Sequence, residues 1–204
     1  MLIELPKISG LQLTPQDLHA LGAVVAQWAV AEHFITSHVY QLTLLTANPP
    51  LHHMKLRAEF GRLQSQWKEL LKDVCANTEE YLDIGIKLAG AAKVLKEDRD
   101  AAAHWPASRD GFRLDVVPKF VQISLRDGSF QKQQKNFTPA HLIELSERVY
   151  QLGADVNFFN FALMCDLFPA LCTWHGPKPE GPILRTRQFP TIQKPLHPRP
   201  TSRA

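Results

Sequence analysis

The sequence predicts an all-α fold: an up-and-down four-helix bundle with a small antiparallel β-hairpin or meander inserted between its third and fourth helices, and an extended C-terminal tail. Three observations lead there. Apolar residues recur at alternating spacings of three and four along four long stretches. The period switches to two between residues 111 and 137. The last 37 residues, from Phe168 onward, hold eight of the 15 prolines. The natural division is therefore a bundle over residues 1–167 and a basic, Pro-rich tail over residues 168–204, disordered or extended.

The first helix opens at Thr14-Pro15-Gln16-Asp17, where Thr14 can cap, Pro15 suits the first helical position and Asp17 favours the positive end of the helix dipole. Its seam runs Leu18, Leu21, Val25, Trp28, Glu32, Ile35, Val39, Leu42, and Asn48-Pro49-Pro50 ends it. The second carries Leu56, Phe60, Leu63, Trp67, Leu70 and Val74, up to about Ala76. Asn77-Thr78-Glu79-Glu80 offers a capping box for the third, whose seam is Tyr81, Gly85, Leu88, Ala92, Leu95, Arg99 and Ala102. Pro106 disfavours helix at Trp105 and should stop it there. The fourth opens at Thr138-Pro139 and runs Leu142, Leu145, Val149, Leu152, Val156, Phe159, Leu163 to about Leu167. Four such helices with short loops pack most simply in alternating directions.

In the insertion, Phe112–Val116 and Val121–Leu125 alternate, Arg126-Asp127-Gly128-Ser129 holds a hairpin-turn dipeptide, and Phe130–Phe137 returns as a polar edge strand. The tail sets Lys178, Arg185, Arg187, Lys194, Arg199 and Arg203 against Glu180 alone. Such a segment cannot bury enough surface to fold by itself.

With 204 residues, 45% hydrophobic, 11 Phe and 4 Trp, the chain can fill a sizeable core. A formal charge of +3 does not by itself argue for nucleic acid. Cys75, Cys165 and Cys172 make no metal-finger spacing, and their odd number points to reduced thiols. No secretory leader is evident before Leu13, and no stretch is expected to span a bilayer. These features predict a soluble cytoplasmic protein without a membrane partner.

Chemistry concentrates in Arg99-Asp100-Ala101-Ala102-Ala103-His104, closed by Trp105-Pro106. A guanidinium clamps phosphate bidentately, an imidazole carries protons near neutral pH, and the alanines between them add little bulk. The spacing raises a difficulty, because five residues along a helix turn through roughly 140°, off a shared face. Both side chains reach one cleft only where the helix end distorts or a second subunit completes the site. Glu32, on the seam of the first helix, is expected to pair with Arg99, since a lone buried carboxylate is unfavourable.

The arginine, the polar residue after it and the histidine resemble the R-polar-x-x-x-H signature of the HEPN superfamily, in a long-helix bundle with the motif near the end of its third helix. The resemblance covers residues 14–167. It implies a metal-independent endoribonuclease of toxin or phage-defence type, with a composite site across a homodimer and no cofactor. His104 would transfer protons at the 2′-hydroxyl or the leaving 5′-oxygen, and Arg99 would stabilise the phosphorane. Asp100 stands where the family often has Asn and would orient Arg99 or His104. The alternative is a non-catalytic HEPN-like interaction module binding a protein, such as an antitoxin-like regulator, or a nucleic acid. A plain structural bundle is the third reading.

Other candidates carry less. His33, His38 and the pair His52-His53 lack cysteine or carboxylate at ligand spacing, so no metal is expected there. Cys165, Cys172 and His175 fit no common zinc module and read as core thiols beside a tail histidine. Trp28 and Trp67 read as core or dimer-interface aromatics. The tail reads as a solubilising linker, with phosphate-backbone or partner binding as its other uses.

Overall fold

The computed structural model of the chain describes residues 13–46, 59–105, 107–108, 117–126, 129–172 and 181–193. It is mostly helical with a small antiparallel sheet. Helices α1 (Pro15–Leu45), α2 (Phe60–Val74) and α3 (Glu79–His104) precede strands β1 (Ala107–Ser108), β2 (Lys119–Arg126) and β3 (Ser129–Asn136), and α4 (Pro139–Leu167) and the short α5 (Pro190–Gln193) follow. The residues gather into two compact units, one of 1–27 and 96–147, the other of 28–95 and 148–204.

In the first unit the helix starts follow local chemistry. The Asp17 amide donates to Thr14 Oγ1 at 3.1 Å, and the Thr14 amide returns the bond to Asp17 Oδ2 at 2.7 Å, a reciprocal cap. Thr138 Oγ1 accepts from the His141 amide at 3.1 Å and caps α4 in the same way. The strands pair in the order β1-β2-β3, all antiparallel. Arg126 lies opposite Ser129, which leaves Asp127-Gly128 between the strands, a pair outside the described residues. The strand expected at Phe112–Val116 also lies outside them, and the partner of β2 is instead Ala107–Ser108. Phe120 is buried and meets Phe137 edge-on, with ring centroids 5.3 Å apart.

In the second unit the contacts fix the helix directions. Trp28 on α1 meets Phe60 on α2 at 5.2 Å, and further along both helices His38 meets Trp67 at 5.7 Å. These two helices run in the same sense. Helix α4 runs with α1: Gly153 sits against Ala31, where an added Cβ would lie 3.3 Å from the Ala31 Cα, and His38 reaches Asn160 at 2.8 Å. Helix α3 opposes them, since Gln64 donates to the Ala89 carbonyl while Leu71 packs at Gly85, and Tyr81 bonds the Ala162 carbonyl while Gly85 faces Phe159. The alternating up-and-down order therefore fails at α1 and α2. Residues 46–59 separate those two helices, and a connection of that length does not force neighbours to be antiparallel.

Burial sharpens the seams. On α1 the buried residues include Asp17, Ala20, Val24, Trp28, Ala31, Ile35, His38, Val39 and Leu42, so the later seam residues Ile35, Val39 and Leu42 are buried as expected. Early in the helix the buried line runs one residue before the expected one, and Val25 is exposed. On α4 every expected seam residue from Leu142 to Leu163 is buried. By length and composition α1 is apolar enough to cross a bilayer, contrary to the sequence expectation, although a core helix passes the same test.

Two expectations about the C-terminal region are not met, one at Cys165 and Cys172 and the other over residues 181–193. Cys165 and Cys172 are joined in a disulfide, because α4 ends at Leu167 and a 3-10 turn at Pro169–Leu171 brings the chain back to a Cα separation of 5.1 Å. Within the tail, residues 181–193 are folded rather than disordered. Ile183, Leu184 and Phe189 are buried, and Asp155, wholly buried, accepts from Arg187, the Thr191 amide and Gln151. A tail poor in its own apolar surface thus folds on a surface already formed. Residues 173–180 and 194–204 lie outside the described residues.

Candidate functional site

The motif occupies the last turns of α3, and the helix there stays regular. The Trp105 amide still donates to the Ala101 carbonyl at 3.3 Å, four residues back. Ala101 and Ala102 are buried and hold the backbone down, while His104 is exposed. The Arg99 side chain is only 18% exposed.

Arg99 Nη1 lies 2.8 Å from Asp100 Oδ1 and 3.2 Å from His104 Nε2. Guanidinium carries donors only, so as a hydrogen bond this contact has His104 Nε2 as its acceptor. Asp100 also receives Lys96 Nζ from one turn earlier. Asp100 therefore stands against both Arg99 and Lys96. The expected obstacle of the five-residue spacing dissolves for a simple reason. Arginine has a long stem and a planar fork, which bridges the angular offset along an undistorted helix. Neither a frayed end nor a second subunit is required to bring this pair together.

The hairpin supplies residues that sequence reasoning did not single out. Lys135 on β3 pairs with Asp98 at 2.5 Å, and its ammonium lies 5.9 Å from the centroid of the Trp105 ring. The register explains the placement, since Lys135 stands opposite the buried Phe120 and so shares the inner face of the sheet. A signal existed in the adjacency of Trp105 to His104, but Lys135 depends on strand register.

Glu32 belongs to the second unit and Arg99 to the first. Within its own unit Glu32 is half-buried and accepts from Trp28 Nε1 at 3.0 Å, while Ala31 takes the seam position. That bond supplies a partner for the carboxylate. His33 is exposed beside Phe34. His38 is buried, and burial pushes its imidazole down to about 4 against the raising effect of Asn160. Trp28 and Trp67 are both core residues, as the spacing implied. His52, His53 and His175 lie outside the described residues. Among the described residues no group of three or more His, Cys, Asp or Glu is placed to hold a metal ion.

A cleft in the second unit is lined by Thr78, Glu80, Tyr81, Asp166 and Pro182, among others, and contains none of the motif residues. There the Tyr81 hydroxyl is pushed well above its ordinary range by burial and by the Asp166 carboxylate it bonds. Asp166 also accepts from the Leu184 amide at 3.2 Å, so its polar groups serve to dock the tail segment.

The motif brings together a cation, an exposed imidazole whose Nε2 faces that cation, and a carboxylate beside the cation. Such a set can take a proton from a hydroxyl and stabilise a charged phosphorus centre with no metal. In comparison with known proteins, the chain matches no family model, no curated sequence and no solved structure.

Proposed function

We propose that the chain is a HEPN-like, metal-independent endoribonuclease, of toxin or phage-defence kind, with Arg99 and His104 as its reacting pair. The observation that carries this reading is the 3.2 Å approach of Arg99 Nη1 to His104 Nε2, with Asp100 aiming the guanidinium. A scissile phosphate takes the place of His104 as the acceptor for Arg99. The freed Nε2 lone pair then accepts the proton of the 2′-hydroxyl, whose oxygen attacks phosphorus. Arg99 stabilises the pentavalent intermediate, and the departing 5′-oxygen takes up the proton that the His104 imidazolium returns. The products are a 2′,3′-cyclic phosphate and a 5′-hydroxyl.

The reading keeps a homodimer, in which a partner chain adds a second Arg–His pair to a shared cleft rather than completing the first. It treats the four long helices as one bundle, supported by the closed ring of pairings α1–α2, α2–α3, α3–α4 and α4–α1 in the second unit. The disulfide weighs against the cytoplasmic setting, where thiols are kept reduced.

The test is cleavage of single-stranded RNA in EDTA. His104→Ala should lower the rate by about 10²–10⁴-fold, the usual worth of a general acid–base. Arg99→Ala should lower it by about 10²–10³-fold. Equal cleavage by all three proteins overturns the assignment, and RNA bound by every protein but cut by none favours the interaction module.

A further inference from the structure

Resting on that ribonuclease reading, we propose that Trp105 and strand β3 form the platform that receives the single-stranded RNA, with Trp105 stacking a base beside the scissile phosphate and Lys135 holding a backbone phosphate. Trp105 adjoins His104 in sequence, and its indole is partly exposed. Lys135 reaches the same ring, at 5.9 Å from its centroid, so an aromatic face and a cation occupy one spot next to the Arg99–His104 pair.

Strand β3 extends this spot. It is the terminal strand of the sheet, and its sequence Ser-Phe-Gln-Lys-Gln-Gln-Lys-Asn has no carboxylate. Gln131, Gln133 and Lys135 alternate along one face of the strand, and Gln131 and Gln133 are exposed, so two amides continue the line of the ammonium. Amides can donate and accept along base edges, ammonium groups meet phosphates, and an indole offers a sequence-tolerant stacking face. An acidic peptide would pair with the lysines, but its carboxylates do not stack on the indole as a base does. Single-stranded RNA uses all three kinds of group.

The Asp98–Lys135 ion pair suits this role. At 2.5 Å it holds the ammonium over α3, and both side chains keep about a third of their surface exposed, 34% and 30%. A phosphate can therefore approach Lys135 without unfolding the hairpin. Lys135 and Trp105 act here as positioning residues, setting where the phosphate lies relative to Arg99.

The experiment measures binding of a fluorescein-labelled oligouridylate to the full chain by anisotropy, in a His104→Ala background so that the probe stays intact. Trp105→Ala should weaken binding by about 5–150-fold, the range for loss of one stacked base, and Trp105→Phe should restore most of it. Lys135→Gln should reduce the dependence of log Kd on log salt by about 0.7, the slope of one phosphate contact on a single strand. Circular dichroism melts establish that each variant is folded. Unchanged affinity in Trp105→Ala together with an unchanged salt slope in Lys135→Gln overturns the platform. If the parent cleaves RNA while both variants bind normally, only the platform fails. If binding depends on Trp105 and Lys135 but the parent cleaves nothing, the ribonuclease reading fails and the platform stands. No binding by any of the proteins overturns both.

Discussion

At the scale of single residues, the chain places its titratable groups in sharply different surroundings. His38 has its Nδ1 on Asn160, and its ring stands edge-on to Trp67 and Phe159. Burial lowers its imidazole to about 4 from the ordinary 6.5. The unfolded chain therefore binds a proton between pH 6.5 and 4 that the folded chain refuses. Stability present above pH 6.5 is lost as pH falls through that window, by about 3 kcal/mol from this residue. Denaturant midpoints between pH 7 and 4 should show that loss, and His38→Leu should flatten it relative to the parent. Cys75 is a second case: burial lifts its thiol to about 11. In the native protein it should resist alkylation. Denatured without reductant, the chain should expose one thiol, and three after reduction, which checks the Cys165–Cys172 disulfide. The motif was legible from sequence at this scale because Arg99, Asp100 and His104 are neighbours on one helix. Asp155 left only a faint trace, a lone carboxylate within the apolar run of α4, because its partners Arg187 and Thr191 lie on a distant tail segment.

At the scale of elements, period located α1, α3 and α4 well and capping residues marked the starts of α1 and α4, since both signals are local, whereas at α3 the Thr78 hydroxyl donates back to the Cys75 carbonyl. Register and direction are not local. Sequence spacing placed Glu32 on the α1 seam, yet Ala31 is the buried residue, because packing selects among adjacent stripes that differ by one position. Lys135 was invisible for the same reason, since only the Phe120–Lys135 pairing turns it toward α3. Close helix approach is another product of packing. At Gly85 an added Cβ would lie 2.9 Å from the Leu71 methyls and 3.1 Å from Phe159. Gly85→Ala asks only for a small adjustment of those side chains, whereas Gly85→Leu overpacks a junction of three helices. Urea unfolding should show Gly85→Leu destabilised by about 1–3 kcal/mol. A Leu variant as stable as the parent would mean that α2, α3 and α4 do not meet there.

At the scale of the whole molecule, apolar spacing foretold a mostly helical chain but not its topology. Alternation of direction was inferred from short loops, and the long connection before α2 removed that premise. Nor did residues 181–193 of the proline-rich tail follow its composition, because Ile183, Leu184 and Phe189 find a surface within the second unit that they could not make themselves. Within the first unit, the paired Arg99 and His104 are the point on which the functional reading turns. The most direct measurement is mass spectrometry of the products when a defined single-stranded oligoribonucleotide is incubated with the protein in EDTA. The account predicts fragments ending in 2′,3′-cyclic phosphate with 5′-hydroxyl partners, reduced at least about a hundred-fold with His104→Ala. Intact RNA, fragments ending in 3′-hydroxyl, or the same yield from His104→Ala would contradict it.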